Sequence, residues 1–281
     1  MAKLIAELAS SHNGDLDLLK ALVKAAARSG ADIVKVQDWR ASNVPDSDPD
    51  KARYEKYQFK DEWWPFFIAY CEQYGVEPLT SCFNKDRVEF LAAQGLKKIK
   101  IASVCLTNTD LLMWAGAHFD EVILSTAMAT EAQIEEAADV LATNAKKFVL
   151  LACTANYPCL STDTNLLRMN SLKDLVSGQE YASVGYSSHS LDLDVPKLAI
   201  GMGAKYVEVH FSLARELPQT PHQMYEGGPQ TTTHAVSLVP HELRQLSEWR
   251  DKVVVMRGSG KYSINETEWK IRERYAGRYG V

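Results

Sequence analysis

The stretch Leu4–Gln37, LIAELASSHNGDLDLLKALVKAAARSGADIVKVQ, contains the repeating unit that decides the fold. Leu4–Leu8 and Ile33–Val36 are short apolar runs, which are typical of strands buried on both faces of a parallel sheet. Between them, Asp15–Ser29 starts with an acidic residue and carries apolar residues at helical spacing. The stretch therefore predicts a strand, a helix and a second strand parallel to the first.

The same alternation continues along the chain. The further apolar runs are Pro78–Phe83, Ile99–Ala102, Val122–Ser125, Phe148–Cys153, Ala182–Tyr186 and Tyr206–Phe211. The further helical patterns are Glu62–Tyr74, Lys85–Gln94, Asp110–Gly116, Thr130–Asn144, Asn165–Val176, Val195–Met202 and His241–Met256. Eight such strands, with no Gly-rich GxGxxG turn after the first, favour a single (β/α)8 TIM barrel over an open doubly wound sheet.

The length of 281 residues suits one barrel, so we expect a single domain over residues 1–281. Within it, the charged tail Gly258–Val281 is expected to be an extension that packs on the outside. Two polar segments, Ala41–Tyr57 and Ala214–Thr233, interrupt the alternation of strands and helices after strands two and eight. Because both loops follow strands, both are expected on the catalytic face of the barrel.

Composition narrows the class of protein. The net charge of −5 argues against nucleic-acid binding as the main function. No apolar run reaches the ~20 residues that a membrane span needs. The five cysteines are odd in number and form no CxxC pair, which indicates reduced thiols. With no signal-peptide pattern before the first strand, these features predict a cytoplasmic protein without a nucleic-acid or membrane partner.

Polar side chains end most of the predicted strands, and in a barrel these ends meet at one mouth. They are Glu7, Lys35, Gln37, Ser81, Lys100, Ser103, Ser125, Thr126, Thr154, Tyr157, Ser187, Ser188, His189 and His210. Two lysines and several hydroxyls favour binding of a phosphate or carboxylate. Two histidines and a glutamate could hold a divalent metal.

Each of these residues also has a structural interpretation. Burying an inward lysine costs free energy unless the lysine is paired, so Lys35 could instead form an ion pair with Glu7 or Glu208. Lys100 could form a similar ion pair. His189 could cap a helix, and His210 could be a satisfied core histidine. The Ser and Thr hydroxyls could bind local backbone.

Taken in order, the motifs resemble the sialic acid synthase (N-acetylneuraminate synthase) family over about Leu4–Leu246. The matching segments are IAE from Ile5, HNGD from His12, KVQ from Lys35, TSCF from Thr80, KIAS from Lys100, TN from Thr107, LSTAMAT from Leu124, CTANYP from Cys153, GYSSH from Gly185 and EVHF from Glu208. The resemblance implies a TIM barrel that condenses phosphoenolpyruvate with a sugar aldehyde such as N-acetylmannosamine. The products would be a 2-keto-3-deoxy acid and phosphate, as in sialic acid biosynthesis.

The resemblance also implies roles for individual residues. Phosphoenolpyruvate contacts fall on Lys35, Ser81, Lys100, Ser103, Ser125, Tyr157 and Ser187. His189 and His210 match the ligands of a divalent metal, Mn²⁺ or Mg²⁺. Glu7 matches a carboxylate near the reacting centre that orients the aldehyde or accepts a proton, and Lys35 and Gln37 lie beside it as further catalytic candidates.

Four departures from the family pattern concern the acceptor. The resemblance implies a C-terminal antifreeze-like domain that completes the partner subunit's sugar site in a dimer; we expect this chain to lack it, so a homodimer is an open expectation. A metal-site Asp after strand eight has no match at Gln219–Pro221, where His222, Glu226 or His234 could substitute. Ser188 and Val209 stand where the family has Asp and Lys, which predicts a changed charge in the mouth.

Three functions are therefore kept open. The first is the phosphoenolpyruvate-dependent synthase. The second is an aldolase or lyase acting on a keto acid in the same barrel, with Lys35 or Lys100 forming a Schiff base in one version. The third is a ligand-binding relative without turnover.

Overall fold

A computed structural model shows a closed barrel of eight parallel strands in sequential order, so the predicted (β/α)8 fold is confirmed. The structure describes residues 1–49, 51–215, 222–223, 230–231 and 236–278. The barrel strands are β1 Lys3–Glu7, β2 Ile33–Asp38, β3 Glu77–Cys82, β4 Lys98–Ile101, β5 Glu121–Ser125, β6 Phe148–Cys153, β7 Ala182–Ser188 and β8 Tyr206–His210. Each lies within two residues of a predicted apolar run at either end.

Helices follow the strands and, apart from the last one, which is exposed, they cover the outside of the barrel. They are α1 Leu16–Arg28, α2 Lys51–Tyr57, α3 Trp64–Gln73, α4 Val88–Ala93, α5 Thr109–His118, α6 Glu131–Asn144, α7 Arg168–Leu175, α8 Asp194–Gly201, α9 Pro240–Arg257 and α10 Glu266–Tyr275. After β8, two short strands of two residues each, β9 His222–Gln223 and β10 Gln230–Thr231, pair in antiparallel fashion. In the part of the chain that the structure describes, no helix is both long and apolar enough to cross a membrane.

The core has two layers because successive strand residues point to opposite faces of the sheet. The inner cluster fills the barrel and consists of Ile5, Ile33, Leu79, Ile123, Val149, Leu151 and Tyr206. The outer and larger cluster lies between the strands and the helices, and it includes Val34, Val36, Val207 and Val209. The inner cluster closes the barrel below the strand ends, so it separates the polar side chains of the mouth from those of Glu77, Lys98 and Glu121 at the opposite end.

Tyr206 and Gly185 form the floor of the barrel. The Tyr206 hydroxyl donates a hydrogen bond to Glu121 at 2.7 Å, which satisfies its polar end inside the apolar layer. A Cβ at Gly185 would lie 2.4 Å from the Tyr206 carbonyl oxygen and 2.6 Å from Leu151 Cδ2. Glycine is therefore required at position 185, because any Cβ there would clash with the β8 backbone and with the Leu151 side chain.

Two expectations were wrong, one about the segment after β2 and one about the tail. The segment Ala41–Tyr57 contains the helix α2, although its Pro and Asp residues predicted a loop. The tail does not pack on the barrel, because every described residue from Gly258 to Arg278 is exposed and α10 has no buried residue. The division into one domain over residues 1–281 with an extension from residue 258 stays a prediction.

Candidate active site

All eleven predicted site residues line one cavity of about 410 Å³ at the carboxyl ends of the strands. They are Glu7, Lys35, Gln37, Ser81, Lys100, Ser103, Ser125, Tyr157, Ser187, His189 and His210. The ladder register explains the grouping, since Glu7 of β1 lies between Lys35 of β2 and His210 of β8. Ser81 of β3 pairs in the same way with Lys100 of β4.

Two lysines and two glutamates form a continuous buried ion-pair network at the base of the cavity. Lys35 contacts the Glu7 carboxylate, lies 3.3 Å from Glu208 and donates a hydrogen bond to Ser81 at 2.9 Å. Lys100 donates to both oxygens of Glu208 at 3.0 Å. The ion pairs that the sequence left as an alternative are therefore present, and they join both lysines through Glu208.

The electrostatics of this network differ between its two acids. Burial alone would raise the pKa of Glu208, but the ammonium groups of Lys100 and Lys35 lower it well below the usual range. For Glu7 the balance is reversed, because burial raises its pKa more than the contact with Lys35 lowers it. Glu208 is thus held as an anion, whereas Glu7 is the carboxyl group in the network that takes up a proton more readily.

Burial also acts on the two lysines. It lowers the pKa of Lys100, although Glu208 opposes the effect. Burial would lower the pKa of Lys35 too, but Glu208 and Glu7 together raise it. Lys35 therefore stays a fixed cation, and Lys100 is the lysine whose charge depends more strongly on its surroundings.

His189 is held by two hydrogen bonds that define its tautomer. Its Nδ1 lies 2.7 Å from the Thr154 carbonyl oxygen, which can only accept, so Nδ1 carries the proton. Its Nε2 therefore accepts from the Tyr157 hydroxyl at 2.6 Å, and the two rings stack with centroids 3.8 Å apart. Burial lowers the pKa of His189 to about 4, so the imidazole is neutral at neutral pH and Nε2 keeps a lone pair.

The donor set fits a metal in part. The rings of His189 and His210 lie 5.5 Å apart between centroids, and a backbone carbonyl on Nδ1 is a common support for a metal-binding histidine. The Cys153 sulfur lies 3.9 Å from Nδ1 of His189, but burial raises the pKa of this thiol to about 12. Among the described residues, no three His, Cys, Asp or Glu side chains are grouped as ligands for one ion.

The hydroxyls around the network have distinct surroundings. Ser187 donates to Glu208 at 3.1 Å, and Ser103 accepts a hydrogen bond from the Ala127 amide at 3.0 Å. The Thr126 hydroxyl instead donates to the Leu151 carbonyl, and that of Thr154 donates to the Asp163 carbonyl. Local backbone binding, the alternative raised for hydroxyls, thus describes Thr126 and Thr154, which do not line the cavity.

The predicted change of charge in the mouth at Ser188 and Val209 was wrong. Ser188 and Val209 are neighbours across the β7–β8 ladder, while Ser187, Glu208 and His210 line the cavity. Side chains alternate along a strand, so Ser188 and Val209 face away from the mouth, and Val209 belongs to the outer core. An Asp at position 188 and a Lys at position 209 would pair with each other on the outer face of the sheet, beneath the helices. The two departures therefore change one contact there and not the charge in the mouth.

The departure at the metal-site Asp after strand eight falls outside the described residues. Gln219–Pro221, Glu226 and His234 lie outside the described residues, and of His222 only the backbone in β9 is described. The substitutes for the missing Asp therefore stay predictions.

Several cavity residues were missed as site candidates from the sequence. Glu208 was considered only as an ion-pair partner, because the run YVEVH reads as a buried strand. The strict alternation of Tyr206, Glu208 and His210 was the signal that places it beside His210 on the inner face. The upper rim also contains Phe83, Val104 and Met128, which no polar motif marked.

Comparisons with known proteins identify the family of this chain. The model of the NeuB family matches residues 22–262. The chain belongs to the NeuB family. It is similar to N,N'-diacetyllegionaminic acid synthase of Legionella pneumophila, with 32% identity over 96% of this chain and 77% of the relative. It is also similar to pseudaminic acid synthase of Helicobacter pylori, with 32% identity over 78% of this chain and 68% of the relative.

A solved structure extends the comparison to the fold. The N-acetylneuraminic acid synthetase of Leptospira borgpetersenii, in complex with citrate, matches with a TM-score of 0.86 and 25% identity, over 99% of this chain and 92% of that one. As a NeuB-type acid synthase, the chain is a transferase enzyme that forms a carbon–carbon bond from phosphoenolpyruvate. The roles predicted for individual site residues stay predictions.

Proposed function

We propose that this NeuB-family enzyme condenses phosphoenolpyruvate with an N-acylated sugar aldehyde of the N-acetylmannosamine type, giving a 2-keto-3-deoxy acid and phosphate. The observation that carries the proposal is the buried network, in which Lys35 and Lys100 face one cavity together with Ser81 and Ser187. The relatives that are named as legionaminic and pseudaminic acid synthases support the choice of acceptor class.

The two lysines bind the anionic groups of phosphoenolpyruvate. Lys35 is a permanent cation, and the phosphate or carboxylate replaces part of its pairing with Glu7 and Glu208. The Ser81 and Ser187 hydroxyls already contact the network and orient the same groups by hydrogen bonds. Glu208 holds both ammonium groups in place before the substrate arrives, so little reorganisation is needed.

The reaction balances with one water. C3 of phosphoenolpyruvate attacks the aldehyde carbon, and the aldehyde oxygen takes up a proton. Water then adds to the cationic C2 and loses one proton. As the bond from C2 to the bridging oxygen breaks, the proton of the new C2 hydroxyl passes to the departing phosphate, so hydrogen phosphate leaves and C2 becomes the ketone carbon. Burial raises the pKa of Glu7, and the substrate anion replaces part of its pairing with Lys35, so Glu7 takes up a proton on binding and supplies it to the aldehyde oxygen.

His189 and His210 would hold a divalent metal, Mn²⁺ or Mg²⁺, in this mouth. When bound, such an ion supplies Lewis-acid polarisation of a carbonyl oxygen. The Thr154 carbonyl keeps the proton of His189 on Nδ1, so Nε2 is the ligand atom. The Tyr157 hydroxyl has to give up its hydrogen bond to Nε2 when that atom binds a ligand.

Phosphate release tests this proposal. We expect release that requires phosphoenolpyruvate and a sugar aldehyde together and that is abolished by a chelator. Lys100→Met removes the network lysine and should lower the rate by at least 100-fold. Lys98→Met is the matched control at the other end of β4, where Lys98 pairs with Glu77 and Glu121, and it should keep most activity. No phosphate from a broad aldehyde panel with added metal would contradict the proposal.

One observation favours a second candidate, an aldolase that uses a Schiff base. Burial lowers the pKa of Lys100, and a nucleophilic lysine needs this property. Borohydride reduction in the presence of pyruvate would then trap a covalent adduct on Lys100. An unmodified protein mass after reduction would exclude this mechanism.

A further inference from the structure

The loop between β1 and α1 turns sharply at Ala9, two residues after the candidate acid Glu7. Ala9 has a φ of 45°, in the left-handed region that a residue with a Cβ occupies only at a cost in free energy. A residue other than glycine stays in this conformation only where the surrounding structure imposes it. The Ala9 side chain is buried and does not line the cavity, so its direct contact with the site is made by its backbone.

This contact is a hydrogen bond from the Ala9 amide to the Glu7 carboxyl group. The N–H donates to Oε1 at 2.5 Å, and the bond is buried. The other oxygen, Oε2, makes the ion pair with Lys35. The φ angle of Ala9 sets how the peptide that carries this N–H is turned relative to the rest of the loop. The strained angle and the hydrogen bond therefore belong together, and they fix the carboxyl plane of Glu7.

The rest of the loop is anchored at two points, which keep the turn from relaxing. On the side of β8, the Ser11 hydroxyl donates a hydrogen bond to the Phe211 carbonyl oxygen at 3.2 Å. On the other side, the buried ring of His12 meets the rings of Phe59 and Trp63 edge to face, with centroids 5.9 and 5.6 Å away. These contacts hold the loop against the barrel and so maintain the strained conformation.

We propose that the backbone amide of Ala9 is a positioning group for Glu7, holding Oε1 so that Oε2 is the oxygen presented to the acceptor aldehyde. The inference rests on the proposed function, in which Glu7 gives a proton to the aldehyde oxygen. Phosphoenolpyruvate replaces part of the pairing between Oε2 and Lys35, so the hydrogen bond from Ala9 is the contact that keeps the carboxyl group in place at that stage. Without it the carboxyl group would reach the reactive orientation less often, which lowers kcat and not the affinity for phosphoenolpyruvate.

A single change of amide to ester tests the positioning. Lactic acid in place of Ala9, introduced by cell-free translation of the full chain, deletes the N–H and keeps the methyl side chain. With the best aldehyde of the panel, kcat for phosphate release should fall by about 10- to 100-fold, while KM for phosphoenolpyruvate stays within about 2-fold. Glycolic acid in place of Gly14 is the matched control, because the Gly14 amide belongs to the same loop but donates to Nδ1 of His12 at 3.1 Å. This second ester should keep kcat within about 3-fold.

Two further comparisons separate positioning from stability. In a Glu7→Gln background the Ala9 ester should lower kcat by less than about 2-fold, because the group that the amide positions is no longer an acid. Ala9→Gly removes the strained Cβ and should melt at the same temperature as the unmodified enzyme or higher. Ala6→Gly, which is buried in the extended strand β1, should melt roughly 2–3 °C lower.

The unmodified enzyme, assayed in parallel, separates the ways in which the inference can fail. An Ala9 ester with unchanged kcat overturns the inference alone, since phosphate release by the unmodified enzyme upholds the proposed function. An equal fall in kcat with Glu7 and with Gln at position 7, or a raised KM at unchanged kcat, would also overturn it. Ala9→Gly melting as low as Ala6→Gly would refute the strained turn on which the positioning depends. If the unmodified enzyme releases no phosphate, the proposed function fails and the inference fails with it.

Discussion

Replacing Glu208 by Gln removes the charge that joins the two lysines in the mouth. The side chains of Lys35 and Lys100 are both 3% exposed, so neither ammonium group can recover its hydration. Removing one partner of a buried ion pair costs about 3–5 kcal/mol. Since unfolding entropy is about 2.1 cal/mol/K per residue, a chain of 281 residues should melt roughly 5–8 °C lower.

Phosphoenolpyruvate should reverse part of this loss. In the Glu208→Gln variant the substrate supplies the negative charge that the lysines have lost, so it should raise the melting temperature more than in the unmodified enzyme. The assay is thermal unfolding with and without phosphoenolpyruvate at one fixed concentration. A ligand present at 100 times its Kd adds about 2.7 kcal/mol to the free energy of unfolding.

Glu121→Gln is the control for this experiment. Glu121 lies at the other end of the barrel, where it accepts a hydrogen bond from Tyr206 at 2.7 Å and lies 3.4 Å from Lys98. A Gln keeps the first contact, and Lys98 keeps Glu77, so the cost should be about 1 kcal/mol with no change in the substrate effect. Equal substrate-induced shifts in the Glu208 and Glu121 variants would refute the assignment of Lys35 and Lys100 to substrate binding.

Four further predictions concern protons and catalysis. Burial lowers the pKa of His12 to about 4 from 6.5, so the unfolded chain binds the proton first and stability falls as pH falls through that window. The loss should reach about 2 kcal/mol at pH 5, and His12→Gln should flatten a urea-unfolding series between pH 7 and 5. Phosphoenolpyruvate binding should take up a proton at Glu7, which calorimetry in buffers of different ionisation enthalpy detects; a buffer-independent heat would argue against it. Glu7→Gln should lower kcat by about 100-fold or more with a smaller change in KM, and an unchanged kcat would remove Glu7 from the mechanism. Tyr157→Phe should free Nε2 of His189 and tighten metal binding in an equilibrium titration, whereas weaker binding would make Tyr157 a support for the ligand rather than a competitor.

The barrel could be predicted from the sequence because its strands are buried on both faces. Phe148–Cys153 is apolar throughout, and both its bounds agree with the structure. Helix α2 was missed because it has only seven residues and follows a Pro- and Asp-rich segment, so its helical pattern is too short to see. The exposed tail was also missed, since charge and length do not show which surface a helix contacts.

The site could be predicted as a set of residues but not as a network. The motifs placed Glu7, Lys35 and Lys100 in one mouth, yet the contact of each with its partner depends on the register between strands. Ser188 and Val209 were assigned to the wrong face because motif positions were considered without the alternation along β7 and β8. Glu208 was missed for the same reason, although it lies two residues from a predicted metal ligand.

The reaction proposed for this mouth joins phosphoenolpyruvate to an aldehyde and releases phosphate by cleavage of the bond between C2 and the bridging oxygen. Phosphoenolpyruvate labelled with ¹⁸O at the bridging oxygen tests this claim most directly, by mass spectrometry of both products after incubation with metal and an N-acylated sugar aldehyde. We expect the label to leave in the phosphate, in an amount equal to the new keto acid. Label retained in the organic product, or phosphate formed without any new keto acid, would contradict it.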